Sequence, residues 1–153
     1  YIISGCDYIS FFYYLTKEHF LNVLIKYADY IFNSKTSSFS ISKENIKVNY
    51  NIWYKLISFC YYEKYKKYFD KDIIYMPGKH SANYVYNVLK RKINDDRKII
   101  PKIESLKLHL KRSEYVINTW YQSLNKEINY LNPESYGWIY KDNILRFNHI
   151  IRD

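Results

Sequence analysis

Apolar side chains that recur every three or four residues over long windows constrain the fold of this chain most strongly. The clearest window begins at Pro101 and places at those steps Ile103, Leu106, Leu110, Ser113, Ile117, Trp120, Leu124, Ile128 and Leu131. This spacing puts one apolar stripe on a single face of a helix. Pro101 suits the first turn of such a helix, and Asn132 with Pro133 is typical of its end.

Two further windows predict long helices. Thr16 is a suitable N-cap for a helix to Ile31, with a stripe that contains Phe20, Leu24, Tyr27 and Ile31 and is widened by Leu21 and Ala28. After a serine-rich loop at residues 33–42, Ser42 is expected to cap a second helix that continues to about Phe69 or Tyr75. Alternation with period two, which a strand needs, is absent from "WYKLISFCYY" (53–62).

A shorter helix is expected over residues 81–93, after the interruption by Pro77 and Gly78. The chain is therefore predicted to be all-α, a helical bundle of three long helices plus one or two short helices. We expect one domain over residues 1–153, with its core at about 15–131 and a docked tail or short helix over 134–153. Because the chain opens on Tyr1, we interpret it as part of a longer protein.

The aromatic residues of these windows are interpreted as interior packing. Trp53 and Trp120 lie in mid-stripe and are expected to pack against each other's helices, while Cys60 acts as a small apolar filler. Tyr54, Tyr62 and Tyr86 are expected on the solvent side. There they would be either interface anchors or a consequence of A/T-rich codon usage without a binding role, and the second interpretation is favoured.

The positive charge is concentrated in the middle of the chain. Residues 55–112 contain 15 Lys and Arg against 6 Asp and Glu, and the rest of the chain contains 9 of each. A partner with acidic character would be attracted there. The predicted basic face consists of Lys64, Lys66, Lys67, Lys90, Arg91, Lys92, Lys107, Lys111 and Arg112.

Three other readings of the same charge remain open. The face is a solvated surface without a ligand, a weak electrostatic contact with anionic lipid, or a nucleic-acid site. For nucleic acid the densest basic run supplies Lys90, Arg91, Lys92, Arg97 and Lys98. We rank nucleic acid below an acidic polypeptide, because the aromatic residues share their helical face with isoleucines as core residues do.

Residue patterns of catalysis and metal binding are not found. The histidines His19, His80, His109 and His149 are scattered, and the two cysteines lack the spacing of a zinc site. The three glycines are isolated, so no phosphate-binding glycine loop is present. We predict no enzymatic activity, no catalytic residue, no metal and no cofactor.

Three stretches together resemble the PHIST domain, also called the PRESAN domain, of malaria parasites. "LTKEHFLNVLIKYADYI" (15–31) is similar to its opening helix. "NYNIWYKLISFCYYEKYKKYF" (49–69) is similar to its helix with an "IWN" motif, and the matching residues are Trp53, Glu63, Lys64 and either Tyr65 or Tyr68. "VINTWYQSLNKEI" (116–128) resembles a late segment of the family, through Trp120 and Leu124. Tyr54 stands where the family usually has asparagine, and the family's middle tryptophan is absent.

The resemblance implies a non-enzymatic adaptor domain of an exported protein, located in the host erythrocyte cytoplasm or at the inner face of its membrane. Its implied partner is the acidic cytoplasmic tail of the variant surface adhesin or a host membrane-skeleton protein. An acidic, disordered tail would be steered to the basic face by charge and held by apolar anchors.

Overall fold

The computed structural model describes residues 3, 5, 12, 15–32, 39–41, 45–123, 125, 127 and 131–147, and these residues are mostly helical. The four α-helices are α1 (Lys17–Ile31), α2 (Tyr50–Lys64), α3 (Gly78–Lys92) and α4 (Ile103–Gln122). Short 3-10 helices span Lys66–Tyr68, Asp96–Lys98 and Pro133–Tyr136. The prediction of a mainly helical chain is confirmed at this level, although α3, expected to be short, has 15 residues like α1 and α2.

Two antiparallel hairpins complete the described fold, and neither was predicted. Strand β1 (Phe39–Ile41) pairs with β2 (Ile46–Val48), and β3 (Trp138–Lys141) pairs with β4 (Ile144–Phe147). Asp142 and Asn143 make the turn of the second hairpin with positive φ angles of 55° and 61°, which aspartate and asparagine tolerate. The docked tail expected over residues 134–153 is, in its described part, a 3-10 helix followed by a hairpin that contacts α4 through Trp138 and Tyr115, and the alternative of a short α-helix is wrong there.

Several predicted helix bounds also change. Helix α2 begins at Tyr50, with Asn49 rather than Ser42 at its N-cap position, and it ends at Lys64. Helix α3 already begins at Gly78. Helix α4 ends at Gln122, well before Leu131. The N-cap of α1 is as predicted, since the Thr16 side chain accepts a hydrogen bond from the His19 amide.

Helix α2 is the centre of the main hydrophobic core. Ile57, Phe59 and Cys60 have no exposed surface, and every residue from Leu56 to Tyr62 is buried. Helix α2 is therefore buried on all sides over these seven residues. Its burial also corrects the positions expected for Tyr54 and Tyr62, which lie inside, while Tyr86 on α3 is half-buried.

Different helices cover different sides of α2. Tyr27 of α1 stacks on Phe59 with 4.3 Å between ring centroids. The Ser81 hydroxyl of α3 lies 3.2 Å from that of Ser58, and the Tyr50 hydroxyl donates to Glu114 of α4 at 3.1 Å. No helix in the described part of the chain is long and apolar enough to span a membrane.

Candidate functional site

The carboxyl-terminal ends of α2 and α3 lie at the same end of the molecule. Their first turns are in contact, because a side chain on Gly78 would meet the backbone of Asn51. The segments that follow the two helices also meet, since the Tyr65 hydroxyl donates to the Lys98 carbonyl at 3.0 Å. The two helices therefore run in the same general direction, so their last turns lie towards the same end of the molecule.

Six cationic side chains occupy this position, and we call them the basic end. All six are exposed, and they come from the end of α2, the 3-10 turn after it and the last turn of α3: Lys64, Lys66, Lys67, Lys90, Arg91 and Lys92. Cations here are favourable for the fold, because the unpaired carbonyls of a helix end carry partial negative charge. Their concentration at the ends of two neighbouring helices also makes a positive surface.

Tyrosine rings support four of these lysines. The ammonium groups of Lys64, Lys66, Lys67 and Lys90 lie 6.0, 5.8, 5.0 and 5.7 Å from the centroids of Tyr65, Tyr62, Tyr68 and Tyr86. Such contacts contribute about 0.5–1 kcal/mol each at exposed sites. The ring contacts hold the lysine side chains against the protein surface without neutralising their charge.

At the basic end, the carboxylate of Glu63 is already paired with other side chains of the protein. Glu63 accepts from Lys26 at 3.1 Å and lies 3.7 Å from the Lys66 ammonium. It also accepts a hydrogen bond from the Tyr27 hydroxyl. Burial disfavours the ionised form of Glu63, but the hydrogen bonds from Tyr27 and Lys26 outweigh burial and lower its pKa. Glu63 thus offsets part of the positive charge of Lys66.

The remaining cations of the predicted face are not part of the basic end. Lys107 is exposed and Lys111 half-buried, both on α4. The charge of Lys111 acts on Glu114, which contacts Tyr50 at the start of α2. Since α2 has 15 residues and each adds 1.5 Å, the start of α2 is roughly 20 Å from its basic end.

Arg112 does not belong to any basic surface. It is only 5% exposed, its Nε donates to the Gly137 carbonyl at 2.8 Å, and its guanidinium lies 4.6 Å from the Phe147 ring centroid. Burial lowers its pKa. The prediction that Arg112 binds a partner is wrong, and its contacts instead attach the second hairpin to α4.

The four residues of the PHIST-like motifs have different environments in the structure. They are Trp53, Tyr65, Trp120 and Leu124. Trp53 is half-buried and Tyr65 packs against the main core. Trp120 is 46% exposed, so the prediction that it packs against the helix of Trp53 is wrong. The buried face of α4 continues instead through Asn118 and Gln122. The side chain of Leu124 lies outside the described residues.

Sequence reasoning missed a row of buried polar side chains on α4. His109 donates from Nε2 to the Ile3 carbonyl at 2.7 Å, and Asn118 bonds both the amide and the carbonyl of Ile46 at 2.7 and 2.8 Å. These contacts satisfy backbone groups of non-helical segments, as buried polar groups must be satisfied. No sequence signal marks them, because their partners lie 72 or more residues away.

Chemistry beyond charge is sparse in the described residues. Among them, no group of three or more His, Cys, Asp or Glu side chains is placed to hold a metal ion. Burial raises the pKa of the Cys60 thiol, which makes it a poor nucleophile. No family model, curated protein or solved structure matches this chain, so the PHIST resemblance stays a prediction from its three motifs.

Proposed function

We propose that this chain is a protein-interaction domain without enzymatic activity, and that the basic end binds an acidic, disordered polypeptide. The observation that carries the proposal is the juxtaposition of six exposed cations at two helix ends. Carboxylates approaching this surface from solution gain from several positive charges at once, which raises the rate of encounter.

The PHIST resemblance supplies the biological setting of this proposal. In that setting the four helices form the helical bundle of an exported domain that acts in the host erythrocyte cytoplasm or at the inner face of its membrane. The partner is then the acidic cytoplasmic tail of the variant surface adhesin or a host membrane-skeleton protein. The contact between basic helix ends and a disordered acidic tail is physically reasonable in either case.

A pair of charge reversals tests the basic end. We expect Lys90→Glu with Arg91→Glu to weaken binding of a fluorescent poly-glutamate peptide about tenfold, because each exposed ion pair contributes up to about 1 kcal/mol. The measurement is fluorescence anisotropy at two salt concentrations. The matched control is Lys107→Glu with Lys111→Glu on α4, which changes the net charge equally outside the basic end.

Equal weakening by both pairs would mean that only net charge matters, and the basic end would lose its role. An oligonucleotide and anionic vesicles, titrated in parallel, test the alternative of a nucleic-acid or anionic-lipid module. If either polyanion binds more tightly than the peptide and all binding disappears at high salt, the polypeptide proposal is wrong.

A further inference from the structure

The second hairpin, formed by β3 and β4, carries a large share of the exposed apolar surface. Ten large apolar side chains are exposed among the described residues, and four of them lie on this hairpin: Ile139, Tyr140, Ile144 and Leu145. Its two strands have only four residues each. Single exposed apolar residues are ordinary, but a cluster of this density indicates a contact surface.

The cross-strand pairs of the hairpin place its side chains on two faces. Trp138 pairs with Phe147 and Tyr140 pairs with Leu145. Because side chains alternate along a strand, these four residues share one face. Trp138 is buried against Tyr115 of α4, whereas Tyr140 is 56% and Leu145 39% exposed. The apolar face therefore extends beyond the helix, and its outer half is exposed.

Strand β4 also has main-chain groups that point away from β3. In the described part of the chain, this sheet consists of β3 and β4 alone. Asp142 and Asn143 form a two-residue turn with positive φ angles, and the flanking residues Lys141 and Ile144 of such a turn form a hydrogen-bonded pair. Since hydrogen-bonded and non-hydrogen-bonded pairs alternate, the N–H and C=O of Leu145 point outwards. A further strand can bind them there.

The charge of this segment favours a second copy of the chain over a charged partner. Residues 133–147 contain two cations, Lys141 and Arg146, and two anions, Glu134 and Asp142. The segment is therefore neutral, whereas residues 55–112 hold 15 Lys and Arg against 6 Asp and Glu. A neutral surface neither attracts a polyanion nor repels its own copy, in contrast to a surface of the basic section.

Strand β4 is compatible with pairing to itself. Two antiparallel β4 strands, related by a twofold axis perpendicular to the sheet, can place Leu145 of each copy opposite Leu145 of the other. Arg146 then lies opposite Ile144 of the second copy, so no like charges face each other. This register brings the outward main-chain groups of Leu145 together. It also joins the exposed halves of the two apolar faces on one side of a four-stranded sheet.

We propose that two copies of this chain form a dimer by antiparallel pairing of their β4 strands, with Leu145 opposite Leu145. The contact between two four-residue strands is smaller than a standard interface, so we expect a weak dimer with a Kd of about 100 µM. The dimer is independent of the proposed acidic partner, and it carries two basic ends on one particle.

Sedimentation velocity of the full 153-residue chain, from about 10 µM to about 1 mM, measures the dimer. We expect Leu145→Lys to weaken dimerisation at least about tenfold, because it places two like charges opposite each other and removes an apolar contact. The matched control is Leu21→Lys, the same exchange at an exposed position of α1. It is expected to leave the dimer unchanged.

Leu145→Glu makes the test specific for the register. Alone, this variant is expected to dimerise as weakly as Leu145→Lys. An equimolar mixture of the two is expected to associate at least about tenfold more tightly than either variant alone, because a lysine then lies opposite a glutamate. A substitution that only unfolded the hairpin would not be rescued by mixing.

Hydrogen exchange of the Leu145 amide supplies a second readout. We expect this amide to exchange more slowly as the concentration of the wild-type protein rises, because its N–H is bonded only in the dimer. Exchange in α2 is expected to stay constant over the same range. An assigned ¹⁵N-labelled protein gives both rates in one experiment.

Several results would overturn the proposed dimer. These are a chain that stays monomeric at about 1 mM, normal dimerisation of Leu145→Lys, no recovery in the mixture of the two variants, or a Leu145 amide whose exchange ignores concentration. Equal loss of the dimer in Leu21→Lys would assign the association to α1 or to net charge, and would likewise exclude β4 as the interface.

Discussion

His109 is a buried titratable side chain that makes the stability of this protein depend on pH. Burial lowers the pKa of His109 from 6.5 to about 4. The hydrogen bond to the Ile3 carbonyl opposes this shift, and the positive charge of Arg112 adds to it. The folded state therefore favours the neutral imidazole. Its contribution is fully present above pH 6.5 and is lost as the pH falls towards 4.

Because of His109, we expect the free energy of unfolding to fall by about 3 kcal/mol as the pH is lowered from 6.5 to 4. Urea unfolding, followed by circular dichroism across that range, measures it. His109→Leu is the comparison, because leucine does not titrate and the carboxylates are common to both proteins. Parallel pH profiles for the two proteins would show that the imidazole does not titrate as a buried neutral group.

At the scale of single elements, Gly78 determines how closely α3 approaches α2. A Cβ built on Gly78 lies 1.9 Å from the carbonyl oxygen of Asn51 and 2.7 Å from its carbonyl carbon. Both atoms belong to the backbone of α2, so a side-chain rotation cannot relieve the overlap. The first turns of the two helices would have to separate.

Gly78→Ala is therefore expected to destabilise the protein by about 3 kcal/mol, as overpacking does. This is opposite in sign to the gain that alanine brings to an exposed helix. Asn87→Ala, at an exposed position of the same helix, is the control and is expected to be neutral or slightly stabilising. Denaturant unfolding compares the two, and an unchanged midpoint for Gly78→Ala would refute the close packing.

The elements that the sequence predicts well are those with local causes. Thr16 caps α1, and Phe20, Tyr27 and Ile31 form its buried face, both as predicted. Each of these signals acts on residues within about one helical turn along the chain. The basic end is partly predictable, since Lys90, Arg91 and Lys92 are consecutive. The proximity of Lys64 to them is not, because it depends on the parallel course of α2 and α3.

Long-range contacts account for the errors. The sequence pattern favours an exposed position for Arg112. Its guanidinium instead donates to the carbonyl of Gly137, which lies 25 residues later in the chain. Trp120 continues the apolar stripe of α4, yet it is nearly half exposed, because the buried face of the helix passes through the polar residues Asn118 and Gln122 instead. The hairpin strands are three or four residues long, too short to establish a periodicity.

At the scale of the whole molecule, the described residues contain two unequal hydrophobic clusters. The large one includes the buried faces of α1, α2, α3 and α4. The small one has only Val116 and Trp138 fully buried, with Tyr115, Tyr136 and Phe147 around them. The basic end is on elements of the large cluster, whereas the second hairpin depends on the small one and on Arg112.

This division predicts that the second hairpin opens while the helices stay folded. Two-stranded hairpins are marginally stable without other packing, and regions with few buried contacts open at lower free energy. Native-state hydrogen exchange should therefore give lower opening free energies for amides of β3 and β4 than for those of α2.

Trp138→Ala sharpens this prediction, because it removes the main contact of the hairpin with α4, where Tyr115 lies 5.0 Å from the Trp138 ring. Removing a buried tryptophan costs about 3–5 kcal/mol. That loss should appear as faster exchange of the hairpin amides, with exchange in α2 and poly-glutamate affinity nearly unchanged. If α2 lost protection in parallel with the hairpin, the two clusters would form one cooperative unit, and hairpin stability would be coupled to the basic end.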